Sequence, residues 1–157
     1  MSEASHGAPA RVRFYTLPDI GGTARLRQAC QLVEEAWLGG EKVLVWLADA
    51  AAQSSFDNLL WTFGDRAFVP HEILHAPGDT PAAPVALYCG GTLADAALAR
   101  GFTTLLMLRD EAEESMLRFA LILEVVDAEP ACRNAGRARF RFYRERGATP
   151  QHIEVTQ

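Results

Sequence analysis

Apolar and polar positions alternate along this chain between strand-like and helix-like patterns. Residues 11–17 alternate apolar and polar side chains, which predicts a first strand. Residues 23–38 carry apolar side chains at helical spacing; Thr23 can cap the start of this helix, and two glycines follow its end. Residues 42–48 read Lys42 followed by a continuous apolar run, and such runs are typical of a parallel strand covered on both faces.

The same alternation continues through the middle of the chain. Asp49 can cap a helix that we expect to reach about residue 61. The next segment is rich in turn-forming residues and predicts a long connection with one short extended piece. Beyond it we predict strands at 85–88 and 103–108, a short helix at 92–100, and a helix over 111–126 whose inward side chains are Met116, Phe119, Ala120 and Leu123.

The last predicted helix starts near Pro130 and ends at Gly147. Strands that alternate with helices predict an α/β fold. We expect a mostly parallel sheet of about four or five strands, with helices on both faces. One domain should span residues 11–150, between a disordered N-terminal tail at residues 1–10 and a C-terminal tail at residues 151–157.

Composition agrees with a globular α/β domain. The chain has 157 residues, of which 49% are hydrophobic and 22% are charged. Its N-terminus lacks an apolar signal-like region, and no apolar run approaches the length of a membrane span, so a cytoplasmic protein is expected. The three cysteines include no CxxC pair, which argues against a disulfide framework or a zinc ribbon.

Charge is concentrated in one segment, the last predicted helix. Residues 133–146 contain six arginines and a single acid, whereas the whole chain has a net charge of −5. At helical spacing Phe140 lies within a stripe of basic residues formed by Arg133, Arg137, Arg141 and Arg144. The opposite side would be a small-residue packing face made of Ala131, Ala135, Ala138 and Phe142. The stripe is either a solvated basic face or a binding surface for an anionic partner.

Residues 71–75 form an HExxH sequence, which in zinc proteases places two histidines on one helical face. The third ligand of the longer metzincin pattern would be Pro81, and prolines surround the motif, so loop residues are the favoured interpretation. Lys42 is the only lysine, and neither glycine pair fits a phosphate-binding motif. We therefore expect no catalytic residues, no metal and no cofactor.

Residues 59–71, LLWTFGDRAFVPH, resemble the LLWTFxxxSFVPH signature of the chi subunit of bacterial DNA polymerase III. Three further segments agree with that family: FYTL at 14–17, ACQLVEEAWLGGEKVLV at 29–45 and RFRFYRERG at 139–147. Ala67 departs from the signature, and residues 89–101 do not align clearly. The resemblance implies a Rossmann-like three-layer fold, with no nucleotide site and no enzymatic activity, in an accessory protein of the clamp loader.

The resemblance also implies two partners. One is the psi subunit, for which the signature supplies a surface containing Trp61, Phe68, Val69 and Pro70. The other is the acidic C-terminal tail of single-stranded DNA-binding protein (SSB), which ends in Pro-Phe. Matching positions for the tail are Arg133, Arg137, Phe140 and Arg141, with Val126 at the end of the preceding predicted helix, and Arg144 continues the stripe.

Two alternatives remain open from the residues. The basic helix could bind single-stranded DNA directly, with arginines on the phosphates and Phe140 or Tyr143 stacking on bases. The net charge of −5 argues against this, because it repels a polyanion at long range. The less favoured alternative is a zinc hydrolase built on the HExxH sequence. For Trp61 and Phe68, the alternative to an exposed patch is that both rings fill the edge of the core.

Overall fold

The computed structural model describes residues 10–20, 22–64, 68–76, 78–93 and 101–156. We number the strands and α-helices in chain order: β1 (Arg11–Thr16), α1 (Thr23–Leu38), β2 (Val43–Leu47), α2 (Ala50–Thr62), β3 (His71–Ile73), β4 (Val85–Tyr88), β5 (Thr104–Leu108), a short 3-10 helix (Glu114–Arg118), β6 (Leu121–Val126), α3 (Pro130–Glu145) and β7 (Gln151–Glu154).

The strands of the described residues form one sheet in the order β3-β4-β2-β5-β6-β1-β7. Every neighbouring pair is parallel. Parallel strands are normally covered on both faces, and β2, β4 and β5 are buried along their whole length. The predicted α/β class and the central position of residues 43–47 are confirmed.

Two apolar clusters lie on opposite faces of the sheet. In β2, Val43, Val45 and Leu47 pack with the buried faces of α1 and α2. The alternate residues Leu44 and Trp46 pack in a second cluster that includes side chains of α3 and the 3-10 helix. Because neighbouring strand residues point to opposite faces, this division confirms that helices cover the sheet on both sides.

Local signals in the sequence correctly locate three helix boundaries, the start of α2 and both ends of α3. Asp49 caps α2 by accepting a 2.8 Å hydrogen bond from the Ala52 amide. Pro130 occupies the first turn of α3, where its missing N–H costs no helical hydrogen bond. Gly147 follows that helix with a φ of 91°, a conformation that glycine adopts without steric cost.

The helix predicted over residues 111–126 is wrong. This segment contains the 3-10 helix Glu114–Arg118 followed by β6, which lies between β5 and β1. Met116, Phe119 and Leu123 are buried as expected, but Ala120 is exposed. The sequence LILEVV is a short apolar run rich in β-branched residues, which suits a buried strand better than a helix.

The sheet has seven strands where about four or five are predicted. The additional strands are β6 and β7, and β3 is the short extended piece of the long connection. Strand β7 lies within the segment assigned to a C-terminal tail, and it pairs with β1 from Arg13↔Gln151 to Thr16↔Glu154. Residues 1–9, and the helix predicted at 92–100 beyond its first two positions, lie outside the described residues.

Within the described residues, none of the helices combines the length and the apolar character that crossing a bilayer requires.

Candidate functional site

Helix α3 presents its arginine stripe to solvent as predicted. Arg133, Arg137, Arg141 and Arg144 are all exposed, and Phe140 among them is half-buried. The ion pairs of the described residues involve Arg139 and Arg146 but none of these four. The guanidinium groups of the stripe are therefore available to an anionic partner.

The packing face of α3 differs from the predicted small-residue face. Its buried residues are Gly136, Arg139 and Tyr143, whereas Ala131 and Ala138 are exposed. The buried face is about a quarter turn away from the predicted one, at 100° per residue. The prediction chose the face with the smallest side chains, whereas the face that packs against the sheet buries an arginine against a carboxylate from another element.

That carboxylate belongs to Glu124 of β6, which is fully buried. Arg139 Nε donates to both oxygens of Glu124 at 2.9 Å, and Arg139 Nη1 donates to the Asp110 carbonyl at 2.8 Å. The Tyr143 hydroxyl donates to Glu124 Oε2 at 2.6 Å. Burial, and then the neighbouring carboxylate, raise the pKa of Tyr143 well above its usual value, so its hydroxyl stays protonated. This network fixes the rotation of α3 against the sheet.

Beside the stripe lies a cavity of about 380 Å³, which we call the basic groove. The groove lies between α3 and the carboxyl ends of β1, β6 and β7. Four of the residues implicated by the resemblance line it: Val126, Arg133, Arg137 and Phe140. The other lining residues are Phe14, Thr16, Gly136, His152 and Glu154. Val126 ends a strand and not, as predicted, a helix.

The groove joins an apolar floor to a cationic rim. The rings of Phe14 and Phe140 lie 5.3 Å apart between centroids. A Cβ added at Gly136 would lie 3.0 Å from Val126 Cγ2, so the absence of a side chain there lets the helix approach the strand closely. Such a floor accepts an apolar or aromatic side chain, and the adjacent guanidinium groups can bind a carboxylate.

The remaining two arginines of the stripe stand apart from the groove. Arg141 and Arg144 are exposed on later turns of α3 and do not line the cavity. Their charges act on an approaching anion over a longer distance, while Arg133 and Arg137 lie where direct contact is possible. The side chain of Arg137 is steadied by a 3.1 Å hydrogen bond to Asn134 Oδ1.

Sequence reasoning misses five of the nine lining residues of the groove: Phe14, Thr16, Gly136, His152 and Glu154. Phe14 is correctly assigned to a strand, but its contact with α3 depends on a pairing between distant segments. His152 and Glu154 are missed because their segment is taken for a tail. The alternation of residues 152–155, His-Ile-Glu-Val, is a strand signal that could have identified them.

The second predicted surface lies at the other edge of the sheet. Trp61 is 46% exposed and Phe68 is 60% exposed, and their ring centroids lie 5.6 Å apart. We call Trp61, Phe68 and the half-buried Pro70 the aromatic patch. Both rings are open to a partner, in contrast to the alternative of a core position. Val69 is fully buried, so it supports the patch from below and is not available for contact.

His71 anchors the aromatic patch to the body of the protein. Its Nδ1 lies 2.7 Å from the Val69 carbonyl oxygen, and its Nε2 lies 2.9 Å from Asp57 Oδ1 on α2. The Trp61 ring packs on the imidazole with centroids 4.4 Å apart. His71 begins strand β3, so the HExxH sequence does not have the helical geometry of a zinc protease. Over the described ranges, no three His, Cys, Asp or Glu side chains gather in a way that could hold a metal.

The fold and the two surfaces define a parallel α/β protein whose candidate sites are suited to contacts with other macromolecules. The family described as DNA polymerase III chi subunit, HolC, matches residues 10–151. A DNA polymerase III subunit chi of Pseudomonas aeruginosa is 40% identical over 140 residues, which cover 87% of this chain and 91% of that relative. The corresponding subunit of Escherichia coli strain K12 is 25% identical over 138 residues, or 85% and 90% of the two chains.

The chain therefore belongs to the family of DNA polymerase III chi subunits, which are accessory subunits in DNA replication. The resemblance of its sequence signature is confirmed.

Proposed function

We propose that this chain is a non-catalytic bridge within the DNA polymerase III holoenzyme. In this proposal the basic groove binds the acidic C-terminal tail of SSB, and the aromatic patch binds the psi subunit, which holds the chain on the clamp loader. The observation that carries the proposal is the basic groove, where two arginines that form no ion pair among the described residues adjoin an apolar floor.

The chemistry of the tail matches the chemistry of the groove. A peptide that ends in Pro-Phe offers one aromatic ring, a terminal carboxylate and several acidic side chains. The ring fits between Phe14, Val126 and Phe140, because this part of the groove is apolar. Arg137 is the best-placed residue to take the terminal carboxylate, since it lies next to Phe140 on the helical surface and lines the same cavity.

The other arginines then act on the acidic side chains. Arg133 lines the groove, and Arg141 and Arg144 extend the positive charge along α3. Exposed charge pairs of this kind contribute little affinity each, but they accelerate association and make it sensitive to salt. The buried aromatic ring should supply most of the specificity.

The aromatic patch is suited to a different partner. Trp61 and Phe68 are large rings exposed side by side, a composition typical of the energetic centre of a protein interface. The patch carries no arginine of the stripe, so its partner need not be acidic. This supports psi, a protein partner, at this surface.

Fluorescence anisotropy with a labelled acidic peptide ending in Pro-Phe tests the groove. Arg137→Ala should weaken binding about tenfold or more, because it removes a charge-assisted contact. Arg144→Ala should weaken it only about twofold, because Arg144 lies outside the cavity. Removing the terminal Phe from the peptide should cost more than removing any one acid.

Arg27→Ala is the matched control, because Arg27 is an exposed arginine on α1, across the sheet from α3. Equal binding by wild type, Arg137→Ala and Arg27→Ala would place the tail elsewhere. The same variants assayed with an oligonucleotide alone address direct DNA contact: tight binding that Arg137→Ala abolishes would favour that function instead.

A further inference from the structure

Both ring nitrogens of His71 lie against oxygen atoms that accept hydrogen bonds. Nδ1 is 2.7 Å from the Val69 carbonyl oxygen, and Nε2 is 2.9 Å from Asp57 Oδ1. A neutral imidazole carries a single N–H, so it can donate to one of these oxygens and must turn a lone pair towards the other. The His71 side chain is 0% exposed, so water cannot relieve that repulsion. The imidazolium ion, in contrast, donates at both contacts.

The additional proton belongs on His71 and not on Asp57. A carboxylate is the weaker base of the two, and the Asp57 side chain keeps 28% exposure to the water that solvates its negative charge. The neighbouring strand β4 places the apolar Val85 opposite His71. Glu72 lies on the exposed side of β3 and accepts a hydrogen bond from the Ala82 amide at 2.8 Å. Asp57 is therefore the charged group among the described residues that stabilises the imidazolium.

Helix α2 contacts this imidazole twice. Asp57 and Trp61 are four residues apart in α2, so their side chains lie one above the other on the same face. The carboxylate meets the edge of the imidazole, and the Trp61 ring lies 4.4 Å from it between centroids. A cation within about 6 Å of an indole centroid is in the range of cation–π attraction. Phe68 packs in turn on Trp61, so the contacts lead from the proton to the aromatic patch.

We propose that a proton held by His71 positions the Trp61 ring, and that the aromatic patch therefore binds its protein partner in a pH-dependent manner. His71 is a positioning residue in this scheme, since its imidazole is buried beneath the exposed rings. When a rising pH removes the proton, one of the two nitrogen contacts becomes repulsive and the cation–π attraction is lost. Partner binding should therefore weaken towards alkaline pH. That this partner is psi rests on the proposed function, whereas the charge of His71 does not.

The substitution Asp57→Asn separates the charge of His71 from its hydrogen bonds. The introduced amide can donate to Nε2, so a neutral imidazole satisfies both contacts and the shape of the site is kept. The ¹⁵N chemical shifts of the ring distinguish protonated from unprotonated nitrogens. At neutral pH both nitrogens of His71 should be protonated in wild type, and Nε2 should be unprotonated in Asp57→Asn. An unprotonated ring nitrogen in the wild-type chain at neutral pH would overturn the proposal.

The indole N–H resonance of Trp61 reports whether the proton positions the ring. As the pH is raised from about 6 to about 9, this resonance should move together with the ¹⁵N shifts of His71. Asp57→Asn should remove the coupled movement. The resonances of Trp37 and Trp46 are internal references, because neither ring packs on His71. A Trp61 resonance that stays fixed while His71 titrates would show that the proton does not position the ring.

Calorimetry with psi over the same pH range tests the consequence for binding. Wild type should lose affinity as the pH rises, and Asp57→Asn should bind about fivefold more weakly at neutral pH, with less dependence on pH. Glu35→Gln is the control, because it removes the same charge from an exposed carboxylate beside β1 and β6. It should behave as wild type. Psi binding that is independent of pH in wild type would overturn the linkage. If psi does not bind at any pH, the proposed partner is wrong, and the resonances of His71 and Trp61 still decide the role of the proton.

Discussion

Burial changes the acid–base chemistry of single side chains in this protein, and Cys30 shows the effect most simply. Its thiol is fully buried on the inner face of α1, and this burial raises the pKa of Cys30 from 9.0 to about 12, against a smaller lowering by Arg27. The unfolded chain would ionise the thiol at its ordinary pKa. Folding therefore holds a proton on Cys30 that the unfolded chain releases in alkaline solution.

The free energy of unfolding should fall as the pH rises above about 9, because the unfolded chain then binds fewer protons than the folded one. Replacing Cys30 with alanine should remove up to about 1.4 kcal/mol per pH unit from this slope between pH 9 and 11. Urea unfolding at a series of pH values measures this slope. Leu32→Ala, at a buried position of the same helix, should lower the whole curve and keep the wild-type slope.

At the scale of elements, the buried network on β6 decides which face of α3 reaches solvent. Arg139 is 2% exposed, and its bonds to Glu124 and to the Asp110 carbonyl hold the helix against the sheet. Burial works to lower the pKa of Arg139, but Glu124, with smaller contributions from Tyr143 and Cys132, more than offsets it and the pKa lies above its usual value. The charged pair thus fixes the direction in which the exposed arginines point.

Arg139→Ala should destabilise the fold by about 3 to 5 kcal/mol, because it leaves the Glu124 carboxylate buried without its partner. Arg139→Met, combined with Glu124→Gln, should recover part of this loss. Arg141→Ala, two positions along the same helix but exposed, should change stability by no more than about 0.5 kcal/mol. Denaturant midpoints of similar size for Arg139→Ala and Arg141→Ala would show that the buried pair does not hold the helix.

The sequence could predict the ends of these helices but not the packing face of α3. Helix boundaries followed from local signals such as Asp49, Pro130 and Gly147, and the exposed stripe followed from helical spacing. The packing face of α3 could not be predicted, because the partner of Arg139 lies on another element. Strand β6 was missed because Met116, Phe119 and Leu123 recur at helical spacing across the 3-10 helix and the strand, and this spacing concealed the short apolar run of β6.

At the scale of the whole molecule, the two candidate surfaces lie at opposite edges of the sheet. The aromatic patch adjoins β3 and the basic groove adjoins β7, the two outer strands in the sheet order. Six strand spacings separate these strands, which is about 29 Å at about 4.8 Å each. A small ligand on one surface would therefore not contact the other surface.

Variants at the two surfaces should act independently. Phe68→Ala should weaken psi binding by about 2 kcal/mol and leave the affinity for the acidic peptide unchanged, while Arg137→Ala should do the reverse. Effects this far apart should add in the double variant. Raising the salt concentration should weaken peptide binding and have less effect on psi. Calorimetry with each ligand measures the effects of the two single variants, of the double variant and of salt. Weaker peptide binding by a well-folded Phe68→Ala chain would contradict the existence of two separate surfaces.

The place of β1 in the sheet has a consequence for when the groove comes into being. This first strand lies between β6 and β7, so Arg13 pairs with Leu123 on one side and with Gln151 on the other. The groove is built at that seam, from Phe14 near the start of the domain and from His152 and Glu154 near its end. A ribosome delivers the residues of the aromatic patch long before those of β7. The groove is consequently among the last features to be completed. A ligand that binds there requires a chain in which β1 has already paired with β7.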